Sequence, residues 1–241
     1  MRYTVTFMEA QYAQLTDHLF RDGRTRERAA YLVCGLSRTP SEVRLLVRQV
    51  IAVPDADLLA QAADHLSIPA RSFLPAMKRA ESEQAAFVFV HSHPGGVPDY
   101  SEQDDREEPG LFRTAYNRIT TPGAVHGSLV LSNSASLRGR VWLDGGTTCP
   151  IDLIRVIGRR FRFFPRSGFD RSVDTSFHDR EVRAFGSDIL PLLQGLTVGV
   201  VGAGGTGSST VEQLIRLGVG HLTRSTFPSR SPQARSRANV V

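Results

Sequence analysis

The sequence predicts an α/β fold in which helices flank a mixed β-sheet, followed by one incomplete βαβ unit. Three observations carry that prediction. Short apolar runs such as Ala86-Phe87-Val88-Phe89-Val90 alternate with segments whose apolar residues recur at three- and four-residue steps. Turn-forming residues punctuate the boundaries, most densely in Pro94-Gly95-Gly96-Val97-Pro98. Near the C-terminal end a Val-rich run passes into Gly202-Ala203-Gly204-Gly205-Thr206-Gly207 and then into a helical pattern.

In chain order, residues 2–7 alternate polar and apolar side chains as a strand does, and 8–20 form an amphipathic helix with Met8, Tyr12, Leu15 and Leu19 on its core side. Residues 21–28 are charged and turn-like. Strands are expected at 30–36 and at 43–53, the second interrupted by Arg48 and Gln49. A helix over 69–83 points Phe73, Leu74 and Met77 inward, and a strand at 86–90 delivers the chain to His91. Residues 104–119 read as a helix broken or restarted near Pro109-Gly110, and 127–131 and 137–143 as strands. Residues 151–164 are periodic enough for a basic helix, 165–170 form an exposed junction, and a helix from about 179 to 193 leads into the second unit. The resulting division is 1–145 for the first domain, 146–178 for a connector, 179–223 for the partial second unit and 224–241 for a disordered tail.

Over 241 residues, 41% hydrophobic and 22% charged residues define a globular chain with room for one large or two small domains. The net charge of +5 comes from scattered arginines that cluster at 155–166 and in the tail, which argues against nucleic acid as a partner. Around Asp99, Glu102, Asp104, Asp105, Glu107 and Glu108 the sign reverses, as in a solvated loop and helix start that would also repel acidic substrates. Cys34 sits in an apolar run and Cys149 in an expected turn, so both are read as free thiols of a reducing cytoplasm. The first residues lack a signal-peptide core, and no segment approaches the roughly 20 apolar residues that span a bilayer. A cytoplasmic protein without membrane contact is expected.

His91 and His93 are one residue apart at the end of a strand-like run, so both imidazoles project to one side. Ser101 and Asp104 follow one helical turn apart and can share a helix face. Two imidazoles and a carboxylate make a suitable first shell for zinc, with the fourth position left for a water whose pKa the metal lowers to roughly 7. Glu27 precedes the apolar run Ala29-Ala30-Tyr31-Leu32-Val33-Cys34, a segment able to lie beside the metal-bearing one, and is the candidate proton shuttle. Ser101 is the candidate hydrogen-bond donor to an oxyanion. His126, before another strand, is assigned a structural or surface role because three ligands already satisfy the pattern.

The run His-x-His, seven residues, Ser, two residues, Asp, with Pro94 after the second histidine, resembles in full the JAMM motif of the JAB/MPN metalloproteases. Glu27-Arg28-Ala29-Ala30-Tyr31-Leu32-Val33-Cys34-Gly35 is similar to that family's upstream segment. The resemblance covers roughly the first 145 residues and implies a JAB/MPN-like mixed sheet. It also implies zinc on His91, His93 and Asp104, Glu27 as general acid/base and Ser101 as transition-state stabiliser. The implied activity is cleavage of isopeptide or peptide bonds after the tail of a ubiquitin-like protein.

Leu196-Thr197-Val198-Gly199-Val200-Val201 followed by Gly202-Ala203-Gly204-Gly205-Thr206-Gly207-Ser208 forms the strand, glycine turn and helix in which backbone N–H groups cradle phosphate. With Arg183-Ala184-Phe185-Gly186 upstream it resembles the ATP-binding start of ThiF/MoeB-type enzymes, which adenylate the C-termini of ubiquitin-like and sulfur-carrier proteins. That resemblance implies a Rossmann-like unit with Gly202, Gly204, Gly205 and Gly207 at the phosphates of ATP, with magnesium. The family's second strand runs into an acidic residue that holds the ribose. Here Thr223 is followed by a Ser/Arg/Pro-rich tail without Asp or Glu, so a frame truncated or shifted near Thr223 is expected, with adenylation inactive. The three functional readings are a zinc peptidase, an adenylyltransferase and a metal-free scaffold of MPN type.

Overall fold

The computed structural model describes residues 1–21, 26–62, 66–94, 99–132, 136–159, 161–166, 178–186, 189–202 and 204–225. The chain divides into two compact units, Met1–Phe169 and Asp170–Val241.

The first unit contains strands β1 (Arg2–Met8), β2 (Ala29–Arg38), β3 (Glu42–Ala52), β4 (Ala60–Gln61), β5 (Leu66–Ser67), β6 (Ala86–His93), β7 (His126–Ser132), β8 (Leu137–Trp142), β9 (Thr148–Pro150), β10 (Leu153–Ile157) and β11 (Arg162–Pro165). Its helices are α1 (Glu9–Leu19), α2 (Ala70–Ser82) and α3 (Glu102–Arg118). Among the described residues nine strands form one mixed sheet in the order β11-β10-β1-β3-β2-β6-β7-β8-β9, and β4 pairs with β5 apart from it. The pairs β1–β3, β1–β10 and β6–β7 are parallel, whereas β2 is antiparallel to both neighbours.

The runs Ala29–Cys34 of β2 and Ala86–Val90 of β6 are apolar and buried because both of their faces are covered. Ala30, Leu32 and Cys34 of β2 and Ala86, Val88 and Val90 of β6 pack into one core with Tyr12, Leu15 and Leu19 of α1. The alternate residues Tyr31, Val33, Phe87 and Phe89 pack into a second core with Met77 of α2 and Phe112 of α3. This alternation positions the site: His91 and His93 continue the row of Phe87 and Phe89, on the face that carries α2 and α3.

Several sequence expectations are corrected. Met8 is 56% exposed and closes β1, outside the core stripe of α1. The interruption at Arg48 is a β-bulge, since Val33 pairs with Gln49 and Cys34 with Val47, leaving Arg48 without a register partner inside a continuous β3. Pro109 lies within a single helix, α3. It removes one backbone donor, while the buried face of Glu108, Phe112 and Ala115 holds the helix on both sides of it. Residues 151–164 do not form a helix. Their apolar positions Leu153, Ile154 and Val156 become the strand β10, because pairing with β1 buries them and overrides a local periodicity that suited either structure. Cys149 belongs to β9, and both Cys34 and Cys149 are free thiols.

In the second unit the expected helix over 179–193 is two helices, α4 (Asp179–Phe185) and α5 (Ile189–Gln194). Gly186 ends the first in a left-handed conformation, φ 94°, that stops a right-handed helix. Strand β12 (Thr197–Val201), helix α6 (Gly205–Arg216) and strand β13 (His221–Ser225) follow, with β12 and β13 parallel from Thr197↔His221 to Val201↔Ser225. The turn requires glycine: Gly202 has φ 82°, and a Cβ on Gly207 would lie 1.9 Å from the Gly202 carbonyl oxygen. Ala203 and the tail 226–241 lie outside the described residues, as do Gly95, Gly96, Val97, Pro98 and the junction residues 167–170. Among the described residues no helix is long and apolar enough to cross a membrane.

His126 is buried at the start of β7, where its Nδ1 accepts the Phe87 N–H at 3.1 Å and its ring meets Tyr116 edge-on at 4.5 Å. Burial pushes its pKa down to about 4. An unfolded histidine takes its proton near pH 6.5, so between pH 6.5 and 4 the unfolded chain binds more protons and stability falls as the pH drops. The loss expected across that window is about 3 kcal/mol. Urea unfolding from pH 7.5 to 4.5 checks this against His126→Asn, whose side-chain oxygen keeps the acceptor for Phe87 without titrating. Equal pH dependence in the two proteins would contradict the assignment.

Candidate metal centre

Strand pairing builds one half of the centre. Ala29 lies opposite His91 in the antiparallel β2–β6 pair. The register continues one residue further, because the Ser92 N–H donates to the Arg28 carbonyl at 3.0 Å and the Arg28 N–H to Ser92 Oγ at 3.0 Å. The next pair is Glu27 with His93, whose side chains share a face, and Glu27 Oε1 lies 3.7 Å from His93 Nε2. The Glu27 N–H is held by the Ala62 carbonyl at 2.8 Å. The buried Arg28 side chain donates to both carboxylate oxygens of Asp55 and to the Arg21 carbonyl.

The start of α3 builds the other half. Ser101 is its N-cap: the Asp104 N–H donates to Ser101 Oγ at 3.2 Å, and the Ser101 N–H donates to Asp104 Oδ2 at 2.6 Å, a reciprocal capping box. The Ser101 hydroxyl also donates to Asp104 Oδ2, at 2.8 Å. The preceding Tyr100 ties this corner to β7 by donating to the Ser128 carbonyl at 2.7 Å.

The two halves meet at three side chains. His91 Nε2 lies 3.1 Å from His93 Nε2 and 3.1 Å from Asp104 Oδ1, and His93 Nε2 lies 3.6 Å from Asp104 Oδ2. A tetrahedral zinc ion with ligand bonds of roughly 2.0–2.1 Å separates its ligand atoms by about 3.3 Å, so the donor set and its spacing fit that ion. Among the described residues, His91, His93 and Asp104 form the group of side chains able to hold a metal. Burial would raise the Asp104 carboxyl, but the His91 imidazole and the hydrogen bonds from Ser101 hold it well below the usual carboxylate range. Burial would likewise lower His91, yet the hydrogen bond and charge of Asp104, with Glu108 and Glu27 behind them, raise it. The three side chains thus attract positive charge, which a divalent cation supplies in place of a proton.

A cleft of about 380 Å³ opens over these residues, lined by Glu27, His91, Ser101 and Asp104 and by apolar side chains including Tyr31 and Phe73. The structure therefore brings the five residues Glu27, His91, His93, Ser101 and Asp104 together, while Gly202, Gly204, Gly205 and Gly207 belong to the second unit. Sequence reasoning missed Glu108, which is 2% exposed and borders the same cleft. Its spacing from Asp104, one helical turn, was the available signal.

A mixed sheet flanked by helices, carrying a His-His-Asp cluster at the end of a central strand, defines a JAB/MPN-like fold with a site consistent with a JAMM-type metal centre and with zinc-dependent hydrolysis in general. The family model for prokaryotic homologs of the JAB domain, Prok-JAB, matches residues 8–142, and the chain belongs to that family. The solution structure of protein DSY2949 from Desulfitobacterium hafniense is similar at 18% identity and a TM-score of 0.39, covering 61% of this chain and 88% of that one. No curated protein matches the chain.

Proposed function

We propose that this chain is a zinc-dependent peptidase or isopeptidase that cleaves after the C-terminal tail of a ubiquitin-like or sulfur-carrier protein. The observation that supports it is the convergence of His91, His93 and Asp104 with the Glu27 carboxylate 3.7 Å from His93. His91, His93 and Asp104 would hold the zinc, which when bound polarises a carbonyl and makes water nucleophilic near neutral pH. Glu27, buried at the cleft wall, accepts the proton of the attacking water and returns it to the departing amine nitrogen. Ser101 shares its hydroxyl proton between Asp104 and the oxygen that becomes negative during attack.

The cleft also speaks for the substrate. Among its described lining residues are the carboxylates of Glu27, Asp104, Glu107 and Glu108 and no Lys or Arg, so it favours a narrow, extended tail free of acidic side chains. Zinc quantification paired with cleavage of ubiquitin-like fusions tests the reading: about one zinc per chain and release of the fused partner are expected. A folded chain that takes up no zinc would sink it and favour the metal-free scaffold.

In this proposal residues 1–145 carry the hydrolase motifs, the segment expected as a connector, 146–178, contributes β9, β10 and β11 to the same sheet, and 179–223 form a partial ThiF-like, Rossmann-like nucleotide unit. The parallel β12–α6–β13 arrangement and its glycine turn support the last assignment, with Gly202, Gly204, Gly205 and Gly207 at ATP phosphates. Adenylation is the weaker reading, because no acidic residue follows β13 to hold a ribose. ATP–pyrophosphate exchange tests it. The free thiols of Cys34 and Cys149 support a reducing, cytoplasmic setting.

A further inference from the structure

Glu108 lies one turn beyond Asp104 on the buried face of α3. Its Oε2 accepts from Ser128 Oγ at 2.8 Å, Arg140 Nε at 2.9 Å and Trp142 Nε1 at 2.9 Å. Its other oxygen, Oε1, is buried with no hydrogen-bond partner among the described residues. The same is true of His91 Nδ1, on a ring that is 2% exposed and whose Nε2 faces Asp104 and His93. Both residues border one cleft, and each lies within reach of the other's charge.

These two orphaned atoms have complementary needs. An imidazole that offers its Nε2 lone pair to a metal carries its proton on Nδ1, and a buried N–H without an acceptor is costly. Among the described residues the buried side-chain oxygens without a partner are Thr6 Oγ1, Tyr12 OH and Glu108 Oε1, and of the three residues Glu108 alone borders the cleft. Ser128, Arg140 and Trp142 fix the carboxylate through Oε2, so Oε1 cannot swing away to solvent.

We infer that Glu108 is a positioning residue for the proposed metal centre: its Oε1, which makes no direct bond to the ring, takes up the Nδ1 proton of His91 through one buried water and so presents the Nε2 lone pair to the ion. The inference rests on the zinc reading above. A purely structural role would use only Oε2, as a brace between α3 and Arg140 of β8.

Glu108→Gln separates the two roles. The Gln carbonyl oxygen can accept from Ser128, Arg140 and Trp142 as Oε2 does, and Asp105 continues to pair with Arg140 at 2.5 Å. The Gln amide in place of Oε1 can only donate, which drives the His91 proton onto Nε2 and blocks the ligand atom. Far-UV circular dichroism of the metal-free variant should show a retained fold, and competition with a chromogenic chelator should show zinc affinity lowered roughly 10- to 100-fold. Zinc-loaded wild type should also show, by nitrogen-15 NMR, a slowly exchanging proton on His91 Nδ1 that shifts in the variant. Wild-type zinc affinity in folded Glu108→Gln overturns the inference while leaving the hydrolase reading intact, and a wild-type chain that binds no zinc overturns both. If the variant does not fold, the wild-type resonance decides, and its absence overturns the inference.

Discussion

Glu27→Gln is expected to lower turnover of a ubiquitin-like fusion roughly 100- to 10,000-fold while zinc remains stoichiometric. Gln has the size and the hydrogen-bonding reach of Glu but cannot take a proton from water at neutral pH. Glu27 is positioned by its N–H bond to Ala62, by the paired backbones of Arg28 and Ser92 and by the Arg28 clamp on Asp55, none of which involves its own carboxylate. The loss should fall on kcat, because the proton transfer belongs to the transition state and not to substrate binding. Measured turnover within a few-fold of wild type would remove Glu27 from the reaction and leave its carboxylate as a buried neighbour of His93.

Asp104→Asn is expected to cost more in zinc affinity than the roughly 10- to 100-fold assigned to supporting residues, with the metal-free fold kept. Asp104 has two jobs on two oxygens: Oδ1 meets His91 at 3.1 Å, and Oδ2 accepts from the backbone and hydroxyl of Ser101. Asparagine can still accept the Ser101 N–H, so the start of α3 survives, but the negative charge that recommends this position to a cation is gone. Chelator competition and thermal unfolding of the same metal-free samples distinguish the jobs. A zinc loss that only follows unfolding would make Asp104 a capping residue first and a ligand second.

How far the sequence reached depends on whether a signal was local. The strand period put His91 and His93 on one face, and the helical step from Ser101 to Asp104 was readable in the same way. The strands β2 and β6 were legible because each is apolar and bounded by turns, whereas β10 was misread as helix because only its pairing with β1 decides between the two. The bulge at Arg48 and the continuity of α3 through Pro109 are settled by packing on neighbouring elements, which periodicity does not report. Glu27 could be nominated by spacing alone, but its reason for facing His93 is the Arg28–Ser92 register. Glu108 was hidden inside an acidic run that looks solvated, and its burial depends on Arg140 and Trp142 more than thirty positions away.

The antiparallel register of β2 and β6, counted off residue by residue to Ala29 opposite His91 and carried on by the Arg28–Ser92 bonds, is what brings Glu27 to His93. Side chains along this row can be exchanged for others of similar bulk, but deleting a single amino acid from the middle of β2 would rotate the carboxylate to the opposite surface of the sheet. Evolution and engineering alike are then free to vary composition here and are held strictly to chain length.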